Sequence, residues 1–305
     1  MRLGIDLGGT KIEIIALDET GAESHRHRVP TPRSGYDETI RAIRDLVIGT
    51  ETTLGQKGSV GVAIPGAISP VTGLVKNANS TRLIGHPLDK DLSAALGRTV
   101  RVANDANCFA LSEATDGAGK GYAVVFGIIA GTGVGGGLCI GGRVLTGPHA
   151  IAGEWGHNPL PAPRDDEIAG GPDCYCGKHG CIESWCSGPA LAADFKRMTG
   201  REMTAPEIAG SNEPAAKETL ARFYDRFARA IATLVNILDP DAIVLGGGLS
   251  NIDALYTELP PRVEHYAFTP QGPSRILKNV HGDSSGVRGA AWLWHKDEVA
   301  QGLPE

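Results

Sequence analysis

Three cysteines fall within eight residues, Cys174, Cys176 and Cys181 in the run CYCGKHGCIE. Thiolates at C-x-C-x4-C are a donor type that Zn²⁺ prefers, but three of them leave a tetrahedral ion one ligand short. A histidine can complete the set. Two are available, His157 in AGEWGHNPLP and His179 inside the cysteine knuckle, and spacing alone does not choose between them. In a cytosolic chain such clustering argues for a metal rather than for disulfides. A cluster of reduced, metal-free thiols is the plain alternative.

A second group could hold phosphate. IDLGGTK, Ile5 to Lys11, reads as a buried strand that ends in Asp6 and runs into Gly8, Gly9, Thr10 and Lys11. Two glycines let backbone N–H groups approach an anion, and a hydroxyl and an ammonium stand beside them. Alone, the same residues would be a hairpin turn with a capping threonine. They are not alone: IAGTGVGGG supplies Gly131-Thr132-Gly133, and LGGGLS supplies Gly246-Gly247-Gly248 at a strand-to-helix junction. The chain has no G-x-x-x-x-G-K-[ST] and no G-x-G-x-x-G opening a βαβ unit near its start. Two glycine hairpins plus a GGG turn resemble the actin, sugar kinase and Hsp70 superfamily, in which ATP lies between two β-sheet lobes.

The third group is VANDAN, with Asn104 and Asp105 at a strand-to-helix junction. As structure, they are N-cap residues. As chemistry, Asp105 could take the proton from an attacking sugar hydroxyl while Asn104 orients the ring, because phosphoryl transfer needs positioning and charge stabilisation.

Together these groups resemble the ROK family of bacterial sugar kinases and repressors over nearly the whole chain. The family pattern E-x-G-H followed by C-x-C-G-x-x-G-C-x-E is met by Glu154, Gly156, His157, Cys174, Cys176, Gly177, Gly180, Cys181 and Glu183. The resemblance implies that His157 is the fourth zinc ligand, at the sugar site, and that Glu154 and Glu183 accept hydrogen bonds from sugar hydroxyls. It makes Asp105 the base, with Asn104 and Asn79 in KNANST as sugar contacts. The ATP set it implies is Gly4, Asp6, Gly8, Gly9, Thr10, Lys11, Gly131, Thr132, Gly133, Gly135, Gly136, Gly246, Gly247 and Gly248. Mg²⁺ would bridge the phosphates near Asp6. A zinc with four protein ligands is structural and does no chemistry.

NANST, PLDKDLSA, EWGHNPLP and HGDSSGVRGAAWLW look closest to the fructokinase or mannokinase branch. The expected reaction is therefore fructose to fructose 6-phosphate, with mannose and glucose behind it. Kinases of N-acetylglucosamine or N-acetylmannosamine and glucokinases are the near alternatives. A homodimer is also implied. The family's repressors carry a helix-turn-helix domain ahead of the first phosphate motif; here that motif starts at Ile5, and a sugar-sensing repressor is not expected.

Elements must exist to position these groups. A chain of 305 residues fits two lobes. Residues 2–7 and 11–17 predict a hairpin, followed by a polar strand near 22–29, a helix over 35–52 and a buried strand over 59–64. A helix within 87–96, a strand at 100–104 and a helix from 105 come next. The run 121–142 repeats the plan of strand, glycine turn and strand. A loop-rich stretch over 143–187 leads to helices framed by Ser187 and Gly200 and over 213–238, then a strand over 242–248. The final SSGVRGAAWLW predicts a helix that folds back across the first lobe. The expected fold class is α/β, a two-lobed actin-like ATPase fold with ATP and sugar in the interlobe cleft. Its expected lobes are 1–115 plus 287–305 and a larger 116–286 bearing the zinc loop.

The 41% hydrophobic and 21% charged residues describe an ordinary globular chain, and 42 glycines imply many tight turns. A formal charge of −6, without a basic block, removes the footprint that nucleic-acid binding needs. The N-terminus shows no signal-peptide pattern, so a cytoplasmic location is expected. Residues 121–142 are uncharged and long enough to span a bilayer, but their nine glycines favour two buried strands over a membrane helix.

Overall fold

The structure, a computed structural model, describes residues 1–78, 80–268 and 274–295. The chain divides into two compact units. The first is Met1–Gly117 with Gly142–Ala152 and the described part of Asp283–Glu305; the second is Ala118–Gly141 with Gly153–Gly282.

In the first unit, β1 (Arg2–Leu7) and β2 (Lys11–Leu17) form an antiparallel hairpin in which Asp6 faces Glu13. β3 (Glu23–Pro30) lies outside β2, and its charged, mostly exposed residues suit an edge that must not recruit another strand. α1 (Tyr36–Leu54) crosses over to β4 (Ser59–Ile64), fully buried and parallel to β1. The short hairpin of β5 (Ala67–Ile68) and β6 (Val75–Lys76) and the helix α2 (Leu88–Leu96) lead to β7 (Val100–Asn104). β7 pairs parallel with β4 and runs directly into α3 (Asp105–Thr115), giving the sheet order β3-β2-β1-β4-β7.

The second unit starts on the same plan. β8 (Val124–Ala130) and β9 (Val134–Ile140) are an antiparallel hairpin around a glycine turn; the two-residue β10 (Arg143–Val144) that follows in sequence lies in the Gly142–Ala152 segment of the first unit. This uncharged run is therefore two strands, and no helix among the described residues is long and apolar enough to cross a membrane. The central stretch holds two short helices, α4 (Asp165–Ala169) and α5 (Ile182–Cys186). α6 (Gly188–Thr199), capped by the Ser187 hydroxyl, and α7 (Ala205–Gly210) precede the long α8 (Pro214–Leu238). β11 (Ala242–Gly246) then pairs parallel with β8.

α9 (Leu255–Tyr266) has no counterpart in the sequence expectation, because Pro260 and Pro261 stand in its interior and proline removes a helical N–H. Burial of Leu255, Leu259 and Val263 in the core of this unit outweighs that local cost. β12 (Ile276–Lys278), parallel to β11, completes the sheet.

α10 (Ser285–Trp292) packs on β1, β4 and α3 of the first unit. Three glycines make that approach possible. A Cβ on Gly4 or Gly61, paired neighbours on β1 and β4, would strike the Val287 and Ala290 carbonyl oxygens, and one on Gly289 would strike the Cys108 carbonyl. Helix packing is thus a sufficient reason for glycine at position 4, included above in the expected ATP set.

Candidate active site and metal centre

In the first unit, the reactive groups sit where strands end. β1 carries Asp6 to the start of the turn Gly8-Gly9-Thr10, which closes with a hydrogen bond from the Gly8 N–H to the Lys11 carbonyl at 3.0 Å. The turn is held from outside by Thr31, whose hydroxyl donates to Gly8 O at 2.8 Å and whose N–H donates to Thr10 O at 2.9 Å. A Cβ on Gly9 would meet nothing nearer than the Ser80 hydroxyl at 3.8 Å, so its peptide lies open to an approaching group. Lys11 is half exposed, with its ammonium 4.0 Å from Glu13.

Asn104 ends β7 and caps α3: its side-chain oxygen accepts from the N–H groups of Ala106 at 2.9 Å and Asn107 at 3.4 Å. Asp105 is the first residue of α3, and its Oδ1 also accepts from Ala106 N at 2.8 Å. The structural reading of Asn104 as a cap is thus realised, and the capping oxygen leaves its amide nitrogen outside the cap. A carboxylate at a helix start is favoured by the exposed N–H groups there.

Burial, then the Asp105 and Glu13 carboxylates, push Asp6 up to about 6 against the pull of Lys11. The Cys108 thiol, one turn into α3, is raised by burial and by the same two aspartates, Asp105 and Asp6. Two carboxyls close enough to feel each other disfavour being ionised together, which adds to burial in raising Asp6. Glu13 was not anticipated from sequence. It is a buried carboxylate ringed by Arg26, Arg28 and Lys11, and its signal was one acid within the apolar run that follows Lys11 in KIEIIAL. Asn79 lies outside the described residues.

In the second unit, the turn Gly131-Thr132-Gly133 closes β8 to β9 with Gly131 N–H on Gly133 O at 2.9 Å. The GGG turn after β11 lies against it. Gly247, at φ 78°, would place a Cβ 2.5 Å from Ala130 O, and a Cβ on Gly131 would be 3.7 Å from Gly248 N. The structure thus brings two of the three expected phosphate turns together. Gly135 and Gly136 lie within β9. A Cβ on Gly136 would come within 2.9 Å of Phe126, Trp155 and Gly153, and Gly135 O accepts from the Trp155 indole at 3.2 Å. Packing therefore explains the glycine at 136, whereas at 135 the contact is made by the backbone carbonyl.

Gly153, at φ 93°, and Gly156 let the segment bearing Glu154 lie flat on β9. Glu154 is exposed there and His157 half buried. The Glu183 carboxylate, in the first turn of α5, accepts the Val134 N–H at 2.8 Å.

His157, Cys174, Cys176 and Cys181 bring their ligand atoms within 4.8 Å of one another. His157 Nδ1 is 3.5 Å from Cys174 Sγ, and Cys176 Sγ is 3.7 Å from Cys181 Sγ. A regular tetrahedron built on ordinary Zn–S and Zn–N bonds has edges of about 3.8 Å between sulfurs and about 3.6 Å between nitrogen and sulfur. The residues fit zinc. His179 faces away from the set and pairs with Asp173 at 2.5 Å, both well exposed. His157 Nε2 lies 3.0 Å from the Tyr175 hydroxyl, a contact that the sequence reading missed.

The loop between His157 and the cysteines has a second anchor. Glu167 of α4 bonds Arg226 and Arg229 of α8, and Arg229 also donates to Pro161 O and Ala162 O.

A profile described as the ROK family matches residues 2–297. An N-acetyl-D-glucosamine kinase of Yersinia pseudotuberculosis serotype O:1b (strain IP 31758) is 42% identical over 301 residues, covering 96% of this chain and 98% of that protein. One of Escherichia coli O127:H6 is also 42% identical, covering 96% and 99%. Among solved structures, the ROK hexokinase from Thermus thermophilus superposes with a TM-score of 0.86 at 31% identity, covering 99% of both chains. A ROK family glucokinase from Streptomyces griseus, in complex with glucose and AMPPNP, gives 0.74 at 27%, covering 95% of this chain and 97% of that one.

Proposed function

The chain belongs to the ROK family and is a sugar kinase of the actin-like ATPase fold, and on that premise we propose that its sugar is N-acetylglucosamine, phosphorylated by ATP at the primary hydroxyl. The observation that carries the choice is 42% identity along 96% of the chain to kinases of that sugar. It favours the amino-sugar alternative over the fructose expected from motif wording.

In this reading Asp105 accepts the proton of the attacking hydroxyl as the γ-phosphoryl group transfers in line. Its place at the start of α3, beside Asp6, supports the role. Asn104 positions the ring, with Asn79 as a further contact, while Glu154 and Glu183 receive sugar hydroxyls. The turns Gly8-Gly9-Thr10, Gly131-Thr132-Gly133 and Gly246-Gly247-Gly248 offer backbone N–H groups to the nucleotide, with Lys11 beside the first. Mg²⁺ bound with ATP would neutralise phosphate charge near Asp6. Zinc held by His157, Cys174, Cys176 and Cys181 would be structural, fastening the loop that carries the sugar contacts. A homodimer and a cytoplasmic location belong to the same proposal.

The test is ADP release with ATP and Mg²⁺ across N-acetylglucosamine, N-acetylmannosamine, glucose, mannose and fructose. The highest kcat/KM is expected for N-acetylglucosamine. A higher value for fructose would overturn the choice of sugar, and no sugar-dependent ADP release would overturn the kinase.

A further inference from the structure

We infer that Glu183 is a positioning residue that couples sugar binding to nucleotide binding, by holding the Gly131-Thr132-Gly133 turn through the Val134 N–H. This deepens the reading of Glu183 as a sugar contact and rests on it.

The geometry is specific. Glu183 Oε2 accepts from Val134 N at 2.8 Å, at the point where the turn re-enters β9. A Cβ on Gly133 would lie 2.5 Å from Oε2 and 3.3 Å from the carboxyl carbon, so the carboxylate fills the space that a side chain at 133 would need. The other end of the turn is held from the same side: Gly188 N–H donates to Gly131 O at 2.8 Å, just past the C-terminal end of α5. One five-residue helix and the residues after it thus grip both ends of a turn expected to face phosphate. Glu183 Oε1 has no hydrogen-bond partner among the described residues.

A carboxylate held by one oxygen still turns about its terminal torsion, which is broad for glutamate. A sugar hydroxyl donating to Oε1 would stop that rotation and sharpen the charge-assisted bond from Oε2 to the turn. Ordering that one ligand supplies need not be supplied again by the next, so the two affinities rise together and by the same factor. Glycine at 133 is then required for the latch as well as for access to phosphate.

Calorimetric titration of the full chain with AMP-PNP and Mg²⁺, with and without saturating N-acetylglucosamine, reads the coupling. Wild type should bind AMP-PNP at least about fivefold more tightly with the sugar present, and N-acetylglucosamine should gain the same factor from AMP-PNP. Gly133→Ala pushes the carboxylate off Val134 N–H, and Glu183→Gln keeps the volume but removes the charge. Each should bring the ratio towards one in protein whose circular dichroism matches wild type; if the first does not fold, the second decides. A wild-type ratio of one, or a full ratio surviving in either folded variant, overturns the coupling while leaving the kinase intact. A wild type that neither binds nor phosphorylates any sugar of the panel removes the functional reading and this inference with it.

Discussion

Arg229 Nη2 reaches both oxygens of Glu167, at 2.8 and 2.9 Å, with each side chain only 3% exposed. Burial alone would raise the Glu167 carboxyl, but hydrogen bonds from Arg229, the Arg164 backbone and Arg226 outweigh it and bring it down to about 2. Removing one partner of a buried pair leaves charge uncompensated. Glu167→Ala should therefore cost about 3 kcal/mol, towards the low end for such pairs because Asp194 and Asp225 still face the two arginines. Urea unfolding checks this, and an unmoved midpoint would show that the network contributes nothing. The carboxylate's own contribution is present above the ordinary glutamate range and is lost only as pH falls towards about 2.

Asp105→Asn keeps a side chain that can still accept the Ala106 N–H, so α3 and sugar binding should survive. Loss of the proton acceptor should lower kcat by about 10²–10⁴-fold. Turnover near that of the wild type, with sugar affinity measured in parallel, would remove Asp105 from the role of base.

Asp6 has an effect of opposite sign to Glu167. Its carboxyl is raised to about 6 by burial, Asp105 and Glu13, so the folded ligand-free protein holds this proton more tightly than the unfolded chain does. Stability should fall as pH rises from about 4 to about 6, and the full cost should persist above that. Asp6→Asn should match wild type near pH 4 and exceed it at pH 7.5 by about 1–3 kcal/mol. Parallel curves of melting temperature against pH for the two proteins would refute the assignment.

Metal analysis should find one zinc per chain. Chelation, or Cys176→Ser, should lower the melting temperature by roughly 6–12 °C if about 3 kcal/mol is lost. His179→Ala should keep the metal, because that ring pairs with Asp173 outside the four-residue set. Zinc lost in the His179 variant but retained in His157→Ala would reverse the ligand assignment.

Local chemistry made much of this protein legible from its residues. Strands β1, β2, β4 and β8 follow from apolar runs bounded by glycine, and the cap at Asn104 follows from residue type at a strand-to-helix junction. Thiolates at C-x-C-x4-C announced a metal-type donor set. α9 was illegible because two prolines argue against a helix locally, while burial of Leu255, Leu259 and Val263 acts only once the core of the second unit exists. Spacing left His157 and His179 equal and the family resemblance chose His157; the folded knuckle sets that histidine among the sulfurs and pairs the other with Asp173. In the same way sequence marks positions 4, 133 and 136 as glycine but not why. Gly4 admits α10, Gly136 admits Trp155, and Gly133 leaves room for the Glu183 carboxylate. Residue type sets what a group can do, whereas its partner is set by atoms brought from distant parts of the chain, and that information exists only after folding.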